Sequence, residues 1–343
     1  MKKLFIGIDV SKETFDVSIF DEIRMAAVYL SRYDNNDGGY QTMLRDLQMN
    51  TCSNGISSGQ WLFCCETTGC YDKPLCMWIA AHGMAIWRES ALEIKRRGGI
   101  RRGKSDKTDS MAIAEYVYRF QDKFKAFVPQ EKTLASLKKL YAYRSSLVKL
   151  SNNVKAQISA CKVPSEAADS IAEFIIAGHE KQLQLLKQEL RQVDKKLLEL
   201  IESDDEINTN YRHIVSVPGV GPVLAAGMIV YSGNFSIIPT ARKMASFSGV
   251  APFRNQSGTS LDSRADVSRL CNRQLKGILT MAALSAMRYN EQLKCYRQRM
   301  EQAGKPFGII CNNVKCKLIK IIYALIRTDS DFDADHKFTR LAA

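Results

Sequence analysis

The chain opens with apolar runs of strand length. Residues 3–9 form a short apolar stretch ending in Asp9, residues 15–20 alternate apolar and polar, and a third run covers residues 25–30. Alternation at period two predicts strands, and three in succession predict a meander. A helix is predicted over 39–49, then a strand over 61–65 that ends in Glu66. A turn at Gly69 leads to a helix over 73–81, followed by a strand over 84–88. From about Glu131 to Glu202 the composition shifts to Leu, Lys, Gln, Glu and Ala. Leu134, Leu137, Leu140 and Tyr141, and later Leu183, Leu186, Leu190, Val193 and Leu197, recur at helical spacing. Cys161-Lys-Val-Pro164 interrupts that pattern, which predicts an antiparallel helical hairpin or coiled coil. Helices are predicted again over 223–231, 268–288, 291–303 and 312–327, and the acidic tail 329–335 is expected to be solvated. The fold class is therefore α/β followed by all-α, with segments at 1–126, 127–205 and 206–343.

Charge narrows the choice of partner. Lys and Arg number 49 against 36 Asp and Glu, a net charge of +13, which favours a polyanion, nucleic acid before a membrane surface. No apolar run approaches the roughly 20 residues of a spanning helix, and Asp9 interrupts the first apolar stretch too early for a signal peptide. A cytoplasmic protein with no membrane partner is expected. The 10 cysteines are scattered through apolar segments without a C-x-x-C pair and read as small core residues. The four histidines are dispersed and suggest no catalytic set.

The candidate chemistry lies in acids at element ends. Asp9 and Glu66 close two strands at the edge where α/β folds bind ligands. Asp106 and Asp109, three residues apart where a helical pattern begins, share one helix face. Ser105 and Asp106 would also serve as helix caps, and acids suit a helix N-terminus whatever their function. Just upstream, Lys95, Arg96, Arg97, Arg101, Arg102 and Lys104 form a glycine-loosened basic segment suited to a phosphate backbone. Converging carboxylates repel one another unless a proton or a cation intervenes, and acids beside phosphate-binding cations are the parts of a nuclease or phosphoryl-transfer site. Val215-Ser-Val-Pro-Gly-Val-Gly-Pro222 has the form of a helix-hairpin-helix, whose Gly219 and Gly221 could bring backbone N–H groups to phosphates; Pro-Gly turns also join inert helices.

Gly7-Ile-Asp-Val-Ser-Lys12, Glu66-Thr-Thr-Gly-Cys-Tyr71 and Lys104-Ser-Asp-Lys-Thr-Asp109 resemble the DEDD motifs of a family of insertion-sequence transposases with a serine nucleophile and a bridge-RNA guide. The segment Gly249 to Ser260, with Pro252, Arg254 and Ser257-Gly258-Thr-Ser260, is similar to that family's serine loop. The resemblance implies an RNase H-like (RuvC-like) N-terminal domain, a coiled-coil insertion and a helical C-terminal transposase domain. It further implies that Asp9, Glu66, Asp106 and Asp109 hold Mg²⁺ or Mn²⁺ and that Ser257 is the nucleophile, with Arg254 at the phosphate. Double-stranded donor and target DNA, a noncoding bridge RNA and a homo-oligomer, dimeric and then tetrameric on DNA, are the implied partners. The chain departs from the pattern at Phe253, Ser263, Asp266 and Cys271. A metal-dependent DNA invertase or junction nuclease, and a nucleic-acid-binding relative without activity, remain as alternatives.

Overall fold

The computed structural model describes residues 3–51, 56–67, 69–97, 105–129, 131–162, 169–253, 256–257, 261–262, 266–268 and 270–334. The chain folds as two compact units, Met1–Pro129 and Gln130–Ala343.

The first unit is built on a five-stranded mixed sheet. Strands β1 (Leu4–Val10), β2 (Thr14–Asp21) and β3 (Ala26–Asp34) form the antiparallel meander, while β4 (Trp61–Glu66) and β5 (Ala85–Glu89) run parallel to β1, in the order β3-β2-β1-β4-β5. The central strands are apolar on both faces because both are covered. Helices α1 (Asp37–Thr51) and α2 (Lys73–Ala81) bury Tyr40, Met43, Leu47, Leu75 and Ile79 against Ile6, Ile8, Val17 and Phe63 on one face. On the other face, α3 (Ala91–Arg97) and α4 (Asp106–Arg119) bury Ile94, Ile113 and Val117 against Phe5, Phe20 and Cys64. Helix α3 takes in the first part of the segment read from sequence as a loose basic track. It has seven residues and buries only Ile94, too short a run to declare a period. Gly7 sets how α4 crosses the sheet, since a Cβ there would lie 2.1 Å from the backbone nitrogen of Ala114 and 2.4 Å from the Ser110 carbonyl. Buried Ser18 on β2 and Ser110 on α4, hydrogen-bonded at 2.8 Å, fix the same crossing.

The second unit is helical. Helices α5 (Lys132–Cys161) and α6 (Asp169–Glu202) form the hairpin, with Tyr143 donating to Glu189 at 3.0 Å and Arg144 paired with Asp194 at 2.5 Å. The inner ends of both arms share one core with the helices that follow: α7 (Asp205–Val215), α8 (Pro222–Ser232), α9 (Ala241–Phe247), α10 (Arg273–Tyr289), α11 (Glu291–Gln302) and α12 (Phe307–Thr328). Near the outer end, Ile171, Phe174 and Ile175 are exposed. Between α9 and α10 come the two-residue strands β6 (Pro252–Phe253), β7 (Gln256–Ser257), β8 (Leu261–Asp262) and β9 (Asp266–Val267), with β6 paired to β9 and β7 to β8.

The acidic tail is exposed, as expected, but two of its carboxylates also have a partner. Asp331 and Asp329 meet the two ring nitrogens of buried His213 at 2.8 Å and 3.0 Å, and the Phe332 amide donates to the Ser216 hydroxyl at 2.8 Å. Phe332 packs against the helical core and brings its acidic neighbours with it. Among the described residues no helix is long and apolar enough to cross a membrane.

Candidate active site

Parallel pairing of β1 with β4 sets Ile8 beside Cys65, so Asp9 and Glu66 leave the sheet at the same edge. The N-terminus of α4 reaches that edge because of its crossing at Gly7. Ser105 caps this helix, accepting from the Thr108 amide at 3.3 Å while the Thr108 hydroxyl accepts from the Ser105 amide at 3.0 Å. Of the two cap candidates read from sequence, Ser105 is the cap, completed by Thr108, and Asp106 and Asp109 stand in the first turn free of that role. The charges of the other three carboxylates act on Asp9. Asp9 is pushed up from 3.8 to about 6, first by burial and then by Asp109, Glu66 and Asp106. An acid held at that value by burial and by neighbouring charge is what a site that takes up positive charge shows.

Sequence reading missed the groups around this edge. Asp16, 2% exposed, lies opposite Asp9 across β1 and β2 and opposite Arg32 across β2 and β3. It accepts from the Tyr29 hydroxyl at 2.8 Å and from Arg32 Nε at 3.0 Å. Arg32 Nη2 reaches Asp106 Oδ2 at 2.8 Å. Burial and the bond to Asp16 push Tyr29 up to about 12, so it remains a donor. At the end of β5, Glu89 pairs in register with Glu66 and accepts from the Tyr116 hydroxyl at 3.2 Å. None of these contacts leaves a trace in local sequence, because each depends on strand register or on how α4 crosses the sheet.

The donor set of the four acids, all oxygen and all charged, fits a hard divalent cation. Among the described residues, the three ligating side chains whose donor atoms all lie within 4.8 Å of one another are instead Cys65, Asp72 and Cys76. Arg88 is ion-paired to Asp72 there, so a guanidinium already supplies the positive charge. The Cys65 thiol is pushed up, first by its hydrogen bond with Cys76 and then by burial, and is chemically quiet. This is core chemistry, in keeping with the sequence reading of the cysteines.

The candidate phosphate contacts divide. Lys95, Arg96 and Arg97 occupy the last turn of α3; Arg97 is paired with Glu93 at 3.1 Å and stacks over Phe120. Arg101, Arg102, Lys104 and Arg254 lie outside the described residues. Gly219, at φ +91°, sits against Ala286, where a Cβ would be 2.4 Å from its backbone, so packing alone demands glycine there. At Gly221 no atom lies within 4 Å of an added Cβ, so packing does not require glycine at the N-cap of α8.

Ser257 belongs to the second unit, in the β7–β8 pair opposite Leu261; its side chain lies outside the described residues. The base of its loop is tied down. The Asn272 amide donates to the Phe247 carbonyl at 2.8 Å, and Asn312 Nδ2 and Cys316 Sγ donate to the Val250 carbonyl at 2.9 Å and 3.3 Å. Cys271, one of the departures from the expected pattern, packs its side chain against Gly249, where a Cβ would meet it at 2.5 Å.

Comparison with known proteins covers both units. A family profile described as a DEDD transposase of the IS110 type matches residues 6–161, and one described as Transposase IS116/IS110/IS902 family matches residues 211–298. The chain is 26% identical to a pilin gene-inverting protein of Moraxella bovis and also of Moraxella lacunata, over 97% of this chain and 98% of each relative. It is 30% identical, over 35% of this chain and 30% of the relative, to an uncharacterized 43.6 kDa protein of insertion element IS110 from Streptomyces coelicolor.

Proposed function

This chain belongs to the IS116/IS110/IS902 family of transposases, and on that premise we infer that it is a DNA recombinase acting through a covalent phosphoserine. The observation that carries the reading is the gathering of four acids at one sheet edge, where burial first and then the charges of Asp109, Glu66 and Asp106 lift Asp9 to about 6. Asp9, Glu66, Asp106 and Asp109 would hold Mg²⁺, or Mn²⁺ in its place, which when bound supplies charge neutralisation at the scissile phosphate. The N-terminal unit is RNase H-like in this reading, supported by its strand order β3-β2-β1-β4-β5 with parallel β1, β4 and β5.

The Ser257 hydroxyl attacks phosphorus and gives up its proton. A phosphoserine ester forms as one bond from phosphorus to a strand oxygen breaks, and that strand leaves as a hydroxyl. A hydroxyl of the exchanging strand then attacks the ester, restoring both Ser257 and a phosphodiester. Each step makes one phosphate ester bond for each one broken, so no ATP is required. Arg254, with Lys95, Arg96, Arg97, Arg101, Arg102 and Lys104, serves the phosphates, and Gly221, where packing makes no demand for glycine, offers backbone to them.

Donor and target DNA are the substrates, and a noncoding bridge RNA supplies the pairing; the net charge of +13 suits two polyanions. The exposed Ile171, Phe174 and Ile175 at the outer part of the hairpin support a dimer that becomes a tetramer on DNA. Likeness to pilin gene-inverting proteins across nearly the whole length of both chains favours a second setting for the same chemistry, site-specific inversion of a DNA segment.

Protein is incubated with Mg²⁺, paired DNA sites and the RNA encoded beside its gene, and a protein–DNA adduct is mapped by mass spectrometry. The expected adduct is on Ser257, and Ser257→Ala is expected to lose it while still binding DNA. An adduct that persists in Ser257→Ala, or strand cleavage that proceeds unchanged in it, overturns the serine mechanism.

A further inference from the structure

Asp9, Asp16 and Arg32 form a row across three strands, since Asp9 faces Asp16 and Asp16 faces Arg32 in register. Residues directly opposite one another share a face of the sheet, and this face is the one α4 crosses. The register of β2 with β3 shifts between Val17 and Ser18, where Asp16 faces Arg32 but Ser18 faces Tyr29. One extra residue of β3 is taken up between them. In a regular strand, residues three apart point to opposite faces; the bulge turns Tyr29 and Arg32 to the same face, and both bond to Asp16. Bulges next to functional sites commonly re-aim a side chain in this way. Arg32 then spans two carboxylates through Nη2, 3.0 Å from buried Asp16 and 2.8 Å from exposed Asp106.

We propose that Asp16, Tyr29 and Arg32 form a clamp whose task is to hold Asp106 for the divalent cation, with Arg32 as the positioning residue. This deepens the reading of Asp106 as a metal ligand and rests on it. Arg32 binds the Oδ2 oxygen of Asp106 and leaves Oδ1 for the cation. A lone guanidinium so close would repel a cation and compete with it for Asp106. Asp16 removes that difficulty, because the Asp16–Arg32 pair carries no net charge and can orient Asp106 without adding a positive charge to the site. Without Arg32, Asp16 would be an uncompensated buried acid next to Asp9. Hydrogen-bonded partners behind metal ligands are worth about 10–100-fold in affinity elsewhere.

The test is Mn²⁺ binding to the full chain without nucleic acid, followed by the free-Mn²⁺ resonance signal, with thermal unfolding measured on each variant. Arg32→Gln and Asp16→Asn are each expected to weaken binding about 10-fold. The double variant is expected to be no weaker than the weaker single, because the two act as one device. Arg32→Lys, a point charge that cannot fork between two carboxylates, is expected to recover only part of the loss. Tyr29→Phe deletes one hydroxyl, keeps the clamp variants interpretable if the others fold poorly, and is expected to cost a few-fold. Arg32→Gln binding Mn²⁺ as tightly as the wild type, or more tightly, overturns the proposal, as does lower thermal stability with unchanged affinity. Failure of the underlying reading looks different: the wild type would bind no Mn²⁺, or Asp106→Ala would bind it as well as the wild type.

Discussion

The acid edge of the first unit and the serine loop of the second solve opposite problems. Four carboxylates repel one another, so each is mounted on a regular element: Asp9 on β1, Glu66 on β4, Asp106 and Asp109 in the first turn of α4. A buried serine pair and a glycine contact then fix the helix that carries two of them. A serine hydroxyl carries no charge and needs no restraint against repulsion. It is mounted on two-residue strands, and among the described residues the base of its loop is anchored to the N-cap of α10 and to α12. Rigid elements place groups more closely than loops do, so the molecule reserves its rigid scaffold for the groups that resist being brought together.

The sharpest break between the two regions should come from Asp9→Asn. Strand cleavage is expected to fall on the order of 10³-fold, as when an essential electrostatic group is removed, while the metal-free fold gains stability. The sign follows from the proton balance. Native Asp9 holds its proton up to about pH 6 rather than 3.8, so the native state binds more protons across that window and stability falls as pH rises through it. At neutral pH the asparagine removes that penalty, about 1–2 kcal/mol once solvent screening of this partly exposed group is allowed for. Thermal unfolding at pH 7 and at pH 4 checks it, since the gain should be present at the first and shrink at the second. An Asp9→Asn protein less stable than the wild type at pH 7 would mean that burial and neighbouring charge do not penalise the Asp9 carboxylate.

Two glycines sharpen the same contrast. Gly7 and Gly219 each lie against a helix backbone, with an added Cβ at 2.1 Å and 2.4 Å respectively, and alanine at either is expected to cost about 3 kcal/mol through overpacking. The consequences should differ. Helix α4 carries Asp106 and Asp109, so Gly7→Ala should weaken Mn²⁺ binding even in the folded fraction. Gly219→Ala should destabilise the helical unit and leave Mn²⁺ binding as it was. Unfolding curves paired with Mn²⁺ titration separate the two, and equal losses of binding in both variants would erase the distinction.

What could be read from the sequence follows the same division. Asp9, Glu66, Asp106 and Asp109 sit at element ends within short motifs, and the structure brings them to one edge. The helical hairpin was legible as well, because apolar positions recur at helical spacing from Leu134 to Tyr141 and from Leu183 to Leu197 on either side of a break at Pro164. Asp16, Tyr29 and Arg32 were not, since their meeting depends on register across three strands and on a bulge within one of them. Helix α3 was hidden by its brevity. The Pro-Gly-Val-Gly turn was legible as a turn, yet only the structure shows that Gly219 answers to Ala286. The tail was legible in part. Its charges suggested solvent and its carboxylates are exposed, but their partner, His213, lies 116 and 118 residues away.

That tail gives the smallest expected effect, and it belongs to the helical unit alone. Burial lowers His213, but hydrogen bonds and charge from Asp331 and Asp329 more than offset this, so the imidazole titrates above its usual 6.5. A histidine with a raised folded value contributes stability that is fully present below about 6.5 and is lost as pH rises through the folded value. The exposed carboxylates at either side limit its size. Raising the pH from 6 to 9 should therefore leave the global unfolding midpoint nearly fixed while the segment around Ser330 to Phe332 becomes accessible to limited proteolysis. In His213→Gln, which keeps hydrogen bonding and loses the charge, that accessibility should no longer depend on pH. A pH dependence that survives the substitution would assign the latch to another group, and a matching pH response in Mn²⁺ binding would show that the acid edge and the tail titrate as one system.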